Sequence, residues 1–310
     1  LGGVNRILVR FGLQLLEEGK RPGIGALKRV AEVAKVTCGT VGFRLAPRLN
    51  AAGRLEDAAL GVKLLLGDDQ QELSELAELL DGFNRDRQKL EQQTLEQAVT
   101  ILDETGCADQ HSIVLADERW HSGVIGIVAS RLVERYYRPT VLIALEAGQG
   151  KGSCRSISGF HLHRALQQCA DSLSGFGGHA MAAGLSIAEE KLALFRSEFE
   201  RVCRQDLSAE ALVPAAAHDG ECQLADLTML QVEELELLSP FGAGNPQPTY
   251  FSRGCRVLSP KVLGDKHLKF DIEQDGIRLS CIAFGMAGRF DQLFGEVTLL
   301  FRPEINSWRG

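Results

Sequence analysis

A membrane-crossing helix needs about 20 consecutive apolar residues, and no run in this 310-residue chain comes near that length. A basic leader ending in a small-residue cleavage site is also missing from its start. The eight cysteines lie far apart with no C-x-x-C pair, which leaves neither a zinc ribbon nor a disulfide framework to read. They read as reduced thiols in a cytoplasmic protein. Residues 1–56 hold no aspartate and no histidine, Asp57 and His111 being the first of each. A metal site built of Asp and His therefore has no material in that stretch.

An overall basic excess is lacking too. The net charge is −7, which taken as a mean argues against nucleic acid. The charge is unevenly spread, however. Residues 1–67 carry 11 Lys/Arg against 5 Asp/Glu, and residues 68–106 carry 3 against 11. Residues 107–214 nearly balance at 11 against 12, and 215–310 hold 9 against 13. Local patches, not the mean, decide what such a chain attracts.

What the chain does have is a run of small residues, Gly175-Phe176-Gly177-Gly178-His179-Ala180-Met181-Ala182-Ala183-Gly184. Glycine permits positive φ and close approach of backbone to a ligand, so consecutive N–H groups can form a concave nest for an anion. His179 adds a donor at the same mouth. The plainer alternative is a tight turn between a helix over 161–172 and a strand over 182–187. We read the run as a phosphate or nucleotide cradle.

Taken in order, 1–19 is a helix from the spacing of Val4, Ile7, Leu8, Phe11 and Leu15. It opens without a cap, as an excised piece would. Gly19-Lys20-Arg21-Pro22-Gly23 breaks it, and a second helix covers about 25–36. Segment 40–54 brings Arg44, Arg48, Asn50 and Arg54 among small residues, suited to guanidinium recognition of phosphate or equally to a solvated loop. One long helix over 68–106 follows, with Leu73, Leu76, Leu80, Phe83, Leu90, Leu95, Ala98, Ile101 and Leu102 as its apolar stripe and a solvated acidic face. Strands at 112–116 and 139–145 flank a helix at 122–136, a β-α-β unit. His121 stands at that helix start, as anion ligand or as cap. Strand 151–157 supplies Ser153, Arg155 and Ser156. His161 and His163 have no third ligand at helical spacing and read as surface residues. Helix 189–206 closes the domain.

Residues 207–222 read as a linker, 227–238 as a short helix, and Pro240-Phe241-Gly242-Ala243-Gly244-Asn245-Pro246-Gln247-Pro248 as a rigid loop. Alternating runs at 250–258, 267–273, 277–284 and 296–301 predict an antiparallel sheet of OB type. Within 249–289 there are 7 Lys/Arg against 4 Asp/Glu, with Tyr250, Phe251, Phe270 and Phe284 interleaved. Such a surface tracks a single strand and stacks its bases. Phe270 and Phe284 are expected in the barrel core instead.

The Gly-Gly-His-x-x-Ala-Ala-Gly pattern at 177–184 is similar to the signature of the DHHA1 domain, the substrate-binding half of the DHH phosphoesterase superfamily. Three further stretches resemble the RecJ family of single-strand-specific exonucleases, in order and spacing. They are Pro47-Arg48-Leu49-Asn50-Ala51-Ala52-Gly53-Arg54, Trp120-His121-Ser122-Gly123-Val124-Ile125-Gly126-Ile127-Val128-Ala129-Ser130-Arg131, and Lys151-Gly152-Ser153-Cys154-Arg155-Ser156. The loop 240–248 fits the same family, and the resemblance covers essentially the whole chain. It implies an α/β DHHA1-type domain plus a long connecting helix and an OB-type β-barrel. The divisions are 1–67 (tail of the DHH catalytic domain), 68–106 (connecting helix), 107–206 (DHHA1) and 207–310 (OB-type). The chain's stop at Trp308-Arg309-Gly310 reads as short of a last barrel strand.

The activity so implied is 5′→3′ exonucleolytic hydrolysis of single-stranded DNA in repair and recombination. It needs Mn²⁺ or Mg²⁺ in the intact protein, on residues upstream of this chain. No catalytic or metal-binding residue is expected here. Ser153, Arg155, Ser156, Gly177, Gly178 and His179 would grip the terminal phosphate, and Asn50 and Arg54 the next backbone units. The implied partners are a 5′-phosphorylated single strand and, among proteins, a single-strand-binding protein or a repair helicase; no membrane is involved. Cys154 stands where the family usually has glycine, which would crowd the phosphate pocket. Two other readings stay open: a phosphodiesterase of the superfamily acting on oligonucleotides or cyclic dinucleotides, and a non-catalytic single-strand-binding module.

Overall fold

The computed structural model describes residues 1–106 and 110–306. The chain divides into two compact units, one of residues 15–215 and one joining 1–14 to 216–310. Among the described residues no helix is long and apolar enough to cross a membrane.

In the larger unit, α2 (Pro22–Val30), α4 (Ala46–Leu55) and α5 (Ala59–Leu66) pack on the N-terminal half of α6 (Gln70–Thr105). The stretch 40–54, equally readable as a loop, is helical. A short α3 (Cys38–Thr40) runs through a π-turn at Val41–Leu45 into α4, which Pro47 can start because its missing N–H is unneeded there. Asp69 caps α6, its Oδ1 accepting from Glu72 N at 2.8 Å, and Gly106 ends it with φ 65°. At 36 residues this helix is about 54 Å long.

The buried line along α6 departs from the expected stripe. It runs Leu73, Leu76, Ala77, Leu80, then Asn84, Arg87, Glu91, Thr94, then Ala98 and Leu102. Phe83, Leu90, Leu95 and Ile101 are only half-buried. The helix is gripped by α2 and α4 at one end and by α7 (Ile125–Tyr136) at the other. The straight line joining the two grips passes through polar positions.

The C-terminal part of α6 covers a mixed sheet ordered β1-β2-β3-β5-β4. Its strands are β1 (Ile113–Asp117), β2 (Thr140–Glu146), β3 (Gln149–Arg155), β4 (Gly175–Gly178) and β5 (Ala182–Ala188). Only β1 and β2 are parallel, joined through α7; the other ladders are antiparallel. Strand alternation splits the core. Val141, Ile143, Cys154, Leu185 and Ile187 meet α8 (Leu162–Gln168) and α9 (Leu192–Asp206) through Phe195 and Phe199. Leu142 and Ala144 face the other way, to α7 and α6. One face of the sheet is thus covered by α8 and α9, and on the other α7 lies over β2 and β3.

In the smaller unit, β7 (Tyr250–Leu263), β8 (His267–Gln274), β9 (Ile277–Ala283) and β10 (Glu296–Phe301) form an antiparallel sheet ordered β10-β7-β8-β9, with β6 (Gly220–Glu221) parallel to β7. Its core holds Leu224, Cys255, Leu268, Phe270 and Ile272. β7 runs five residues past the predicted end, because a register shift between Leu258 and Lys261 lets the strand continue through Pro260. Phe270 is buried as expected, but Phe284 is 68 % exposed. It lies just past the end of β9, where the chain has left the sheet, and its ring meets His267 edge-on at 5.3 Å. Helix α10 (Met229–Glu236) starts at Thr228 with a reciprocal Gln231 box. The helix α1 (Gly3–Glu18) forms as predicted, yet its stripe Val4, Ile7, Leu8, Phe11 and Leu15 stays exposed. Arg6 holds α1 by donating to the carbonyls of Leu237, Leu238 and Ser239. The predicted stop at Trp308-Arg309-Gly310 lies outside the described residues.

Candidate nucleic-acid interface

Side-chain alternation decides what faces α7. Cys154 points into the α8/α9 core, so its neighbours Ser153 and Arg155 point to the α7 side. The suspected crowding of a phosphate pocket by Cys154 therefore does not arise, and burial pushes its thiol up to about 12. In register with Ser153 and Arg155 lie Gly184 and Ala182 of β5, and beyond Gly184 lies Gly177 of β4.

This half of the sheet, past the edge of α7, presents Ala182, Gly184, Gly177 and Gly175, and the three glycines are exposed. The small-residue run is therefore a correction to the nest: residues 175–178 are an edge strand, not a looped cradle. What the glycines supply is a sheet face almost without side chains. A polymer backbone can lie directly on such a face.

The turn that follows is tightly held. Gly178 has φ 143°, and a Cβ there would sit 2.5 Å from Ala182 O and from Ala183 Cα. His179 N donates to Ala182 O at 2.9 Å, Ser156 N to Met181 O at 3.0 Å, and Leu162 N to Ala180 O at 3.0 Å. The exposed His179 accepts from Met181 N through Nδ1 at 3.3 Å, which leaves Nε2–H as its outward donor. Ser156 does not join this surface. It is buried, and its hydroxyl donates to Phe160 O at 2.8 Å.

Arg155 is fixed by three contacts: Nε to Ser130 Oγ at 3.1 Å, and Nη1 to Ser153 Oγ at 3.2 Å and Cys154 O at 2.8 Å. Gly126 makes room for it, since a Cβ there would lie 2.8 Å from Ser153 Oγ and 2.9 Å from Arg155 Nη2. Burial lowers the pKa of Arg155; the nearby Cys154 raises it, and the cation of Arg54 lowers it again. Arg54 ends α4 and donates Nη1 to Gly123 O at 2.9 Å. Asn50 lies one turn earlier on α4 and is exposed, on the same side of the helix.

Of the arginines in 40–54, Arg48 is engaged elsewhere, with Asp81 at 2.8 Å and Arg44 O at 2.6 Å. His121 does not cap α7, whose N-cap Val124 receives no side-chain bond; its Nδ1 accepts from Gly123 N at 3.0 Å in the turn ahead of the helix. His161 caps α8, accepting from Arg164 N at 3.4 Å, and His163 leans on the Phe176 ring at 5.6 Å. The structure thus brings together Arg54, Ser153, Arg155 and the glycine face. It adds Ser130, Arg131, Arg87 and Glu91, which sequence reasoning passed over.

In the smaller unit three of the basic residues are neutralised, Arg253 by Glu221, Arg256 by Glu273 and Arg278 by Asp271. Lys261, Lys266 and Lys269 have no such partner among the described residues. Lys261 and Lys269 are directly opposite across β7 and β8, and Lys269 is opposite Ile282. With Phe284 they make one exposed patch that is both cationic and apolar. Among the described residues no group of three or more His, Cys, Asp or Glu could hold a metal ion.

Two family models match, the DHHA1 domain over residues 109–205 and the RecJ OB domain over 218–310. Relatives named single-stranded-DNA-specific exonuclease RecJ align along nearly the full chain. That of Bacillus subtilis (strain 168) is 35 % identical over 98 % of this chain and 40 % of its own length. That of Escherichia coli (strain K12) is 38 % identical over 99 % of this chain and 56 % of its own. The crystal structure of RecJ from Thermus thermophilus in complex with Mn²⁺ superposes with a TM-score of 0.84 at 32 % identity, over 99 % of this chain and 45 % of that one. The chain spans about half the length of the relatives it matches.

Proposed function

Carrying a DHHA1 domain followed by a RecJ OB domain, this chain belongs to the RecJ family, and we propose that it is the strand-gripping part of a 5′→3′ single-stranded-DNA exonuclease. The observation that carries this is the fixed guanidinium of Arg155, aimed with Ser153 beside a sheet face stripped of side chains. A phosphate there meets the remaining Nη2 donor of Arg155, a charge-assisted contact, with the Ser153 hydroxyl and the outward Nε2–H of His179. Gly177 and Gly178 let the strand end lie against the backbone. Arg54 and Asn50 take the adjoining phosphates. The Lys261, Lys266, Lys269 and Phe284 patch takes the trailing strand, cations on the phosphates and the ring against a base.

A divalent ion, Mn²⁺ or Mg²⁺ as in the Thermus thermophilus structures, would activate the hydrolytic water in the intact protein. The described residues do not fit such an ion, so no hydrolytic step is assigned to this chain; its residues bind and orient. The OB domain disfavours the reading as an oligonucleotide or cyclic-dinucleotide phosphodiesterase, for which a trailing strand has no use. A cytoplasmic location fits the proposed DNA substrate and the free thiols among the described residues. A single-strand-binding protein or repair helicase as partner rests on the resemblance alone.

The test is competition binding with short single strands that differ only at the 5′ end. The 5′-phosphorylated strand should displace a labelled one at several-fold lower concentration than the 5′-hydroxyl strand. Equal potency of the two would remove the terminal-phosphate reading.

A further inference from the structure

One cluster beside this face is not used by the contacts above. In mid-helix, α6 buries Asn84, Arg87, Glu91 and Thr94 on successive turns, where an ordinary helix would bury leucines. Glu91 is 2 % exposed and its one carboxylate serves two guanidiniums. Oε2 accepts from Arg87 Nη1 at 2.6 Å, and Oε1 pairs with Arg131 Nη2 of α7. Arg87 is itself spent, since Asn84 Oδ1 takes its Nη2 at 2.8 Å and its Nε at 3.3 Å. Arg131 differs: its side chain is half exposed, with donors left over at the surface.

Its neighbour Ser130 receives Arg155 Nε. Consecutive helix positions point about 100° apart. Ser130 is thereby turned to β3 and Arg131 to α6, on the same turn of the same helix. The charges do not balance locally. Arg87 and Arg131 share Glu91, and Arg54 and Arg155 have no carboxylate partner among the described residues; of the other acids on this part of α6, Asp81 is taken by Arg48 and Arg85 and Asp86 by Lys89. The cations feel one another: burial lowers the pKa of Arg87, Glu91 raises it, and Arg54 and Arg131 lower it again. A partly buried cationic excess is unfavourable by itself and calls for an anion from outside.

We propose that Arg131 is a further strand-binding residue, taking an internal phosphate beside the one held by Arg155. Glu91 is its positioning residue and never meets the strand. This rests on the reading of the face as a strand-end grip. Glu91 keeps Arg131 extended before the strand arrives, so binding need not order a free arginine. Arg87, pinned by Asn84, holds Glu91 in place.

The experiment measures binding of the whole chain to a labelled single strand against salt, with Arg131→Ala, Arg131→Lys, Glu91→Gln and the Glu91→Gln/Arg131→Ala pair. Arg135→Ala removes the same charge from the same helix, where it lies over the Tyr136 ring, and is the control. Loss of Arg131 should weaken binding about tenfold, as one charge-assisted contact does, and lower the salt slope by about 0.7. The loss should be equal for 5′-phosphorylated and 5′-hydroxyl strands, whereas Arg155→Ala discriminates between them. Arg131→Lys should recover the salt slope and only part of the affinity. Glu91→Gln should weaken binding by a smaller factor and add nothing in the Arg131→Ala background.

Wild-type affinity and slope in Arg131→Ala, or a loss no larger than in Arg135→Ala, would overturn the proposal while leaving the Arg155 reading standing. Additive effects of Glu91→Gln and Arg131→Ala would overturn the positioning role. Should Glu91→Gln fail to fold, the Arg131 variants, altered at a half-exposed side chain, still decide. Failure of the unsubstituted chain to bind any single strand would remove both readings together.

Discussion

Arg155 is the residue on which the terminal-phosphate reading turns. Its guanidinium is already bonded through Nε and Nη1, so a phosphate meets it without reorganising the side chain. Arg155→Ala should cost roughly tenfold or more in affinity for a short 5′-phosphorylated strand and little for the 5′-hydroxyl strand. Arg155→Lys should restore only part, because a single ammonium cannot keep the bonds to Ser130 and Ser153 and reach the phosphate as well. Gly178 gives a stability prediction of a different kind. A side chain at φ 143° would meet backbone at 2.5 Å, so Gly178→Ala should destabilise by about 1–3 kcal/mol, read as a lower midpoint in urea. Residue types were legible in the sequence and their orientations were not. Ser156 and Ser153 looked equivalent in one motif, but strand exit turns the hydroxyl of Ser156 into the fold. Cys154 looked obstructive until its neighbours' register showed it facing the core.

At the scale of elements, every helix of twelve or more residues and every strand of four or more except the edge strand at 175–178 was visible from periodicity, whereas α4 and α5 were not. That strand was missed because glycines carry no alternation to read. The α6 stripe shows the opposite error. Steps of three and four carry from Leu73 through Leu80 to Asn84, Arg87, Glu91 and Ala98, but choosing only apolar letters diverted the line to Phe83 and Leu90. The spacing was the sounder signal. Phe284 was misassigned because hydrophobicity cannot tell the last strand residue from the first one past it. The hairpin of β7 and β8 carries the element-scale prediction. Replacing both Lys261 and Lys269 by Glu should weaken binding to long strands more than to short ones. It should also lower the salt slope by about 1.4, two contacts at about 0.7 each. An unchanged slope would mean that these lysines only keep the sheet edge solvated.

For the molecule as a whole, the net charge of −7 conceals where cations are left unpaired: at the α4–α7–β3 junction and at one end of the smaller sheet. The acidic excess is largely on the outer face of α6. Incubated with labelled single strand and Mn²⁺, the chain should retain the strand intact while binding it, because its described residues gather no ligand cluster for a metal ion. Metal-dependent shortening from the 5′ end, surviving repurification, would contradict this. The buried charges of α6 carry one more consequence. A purely leucine-lined helix of about 54 Å could slide by one turn past its neighbours and still bury grease against grease. With Glu91 bound to guanidiniums from two helices, any such slip strands ions in a dry interior. The polar middle therefore acts as a vernier: it admits one alignment of α6 against α7. Melting at either end of the helix must then break the same ion pairs, so that the bundle and the sheet it serves lose structure cooperatively.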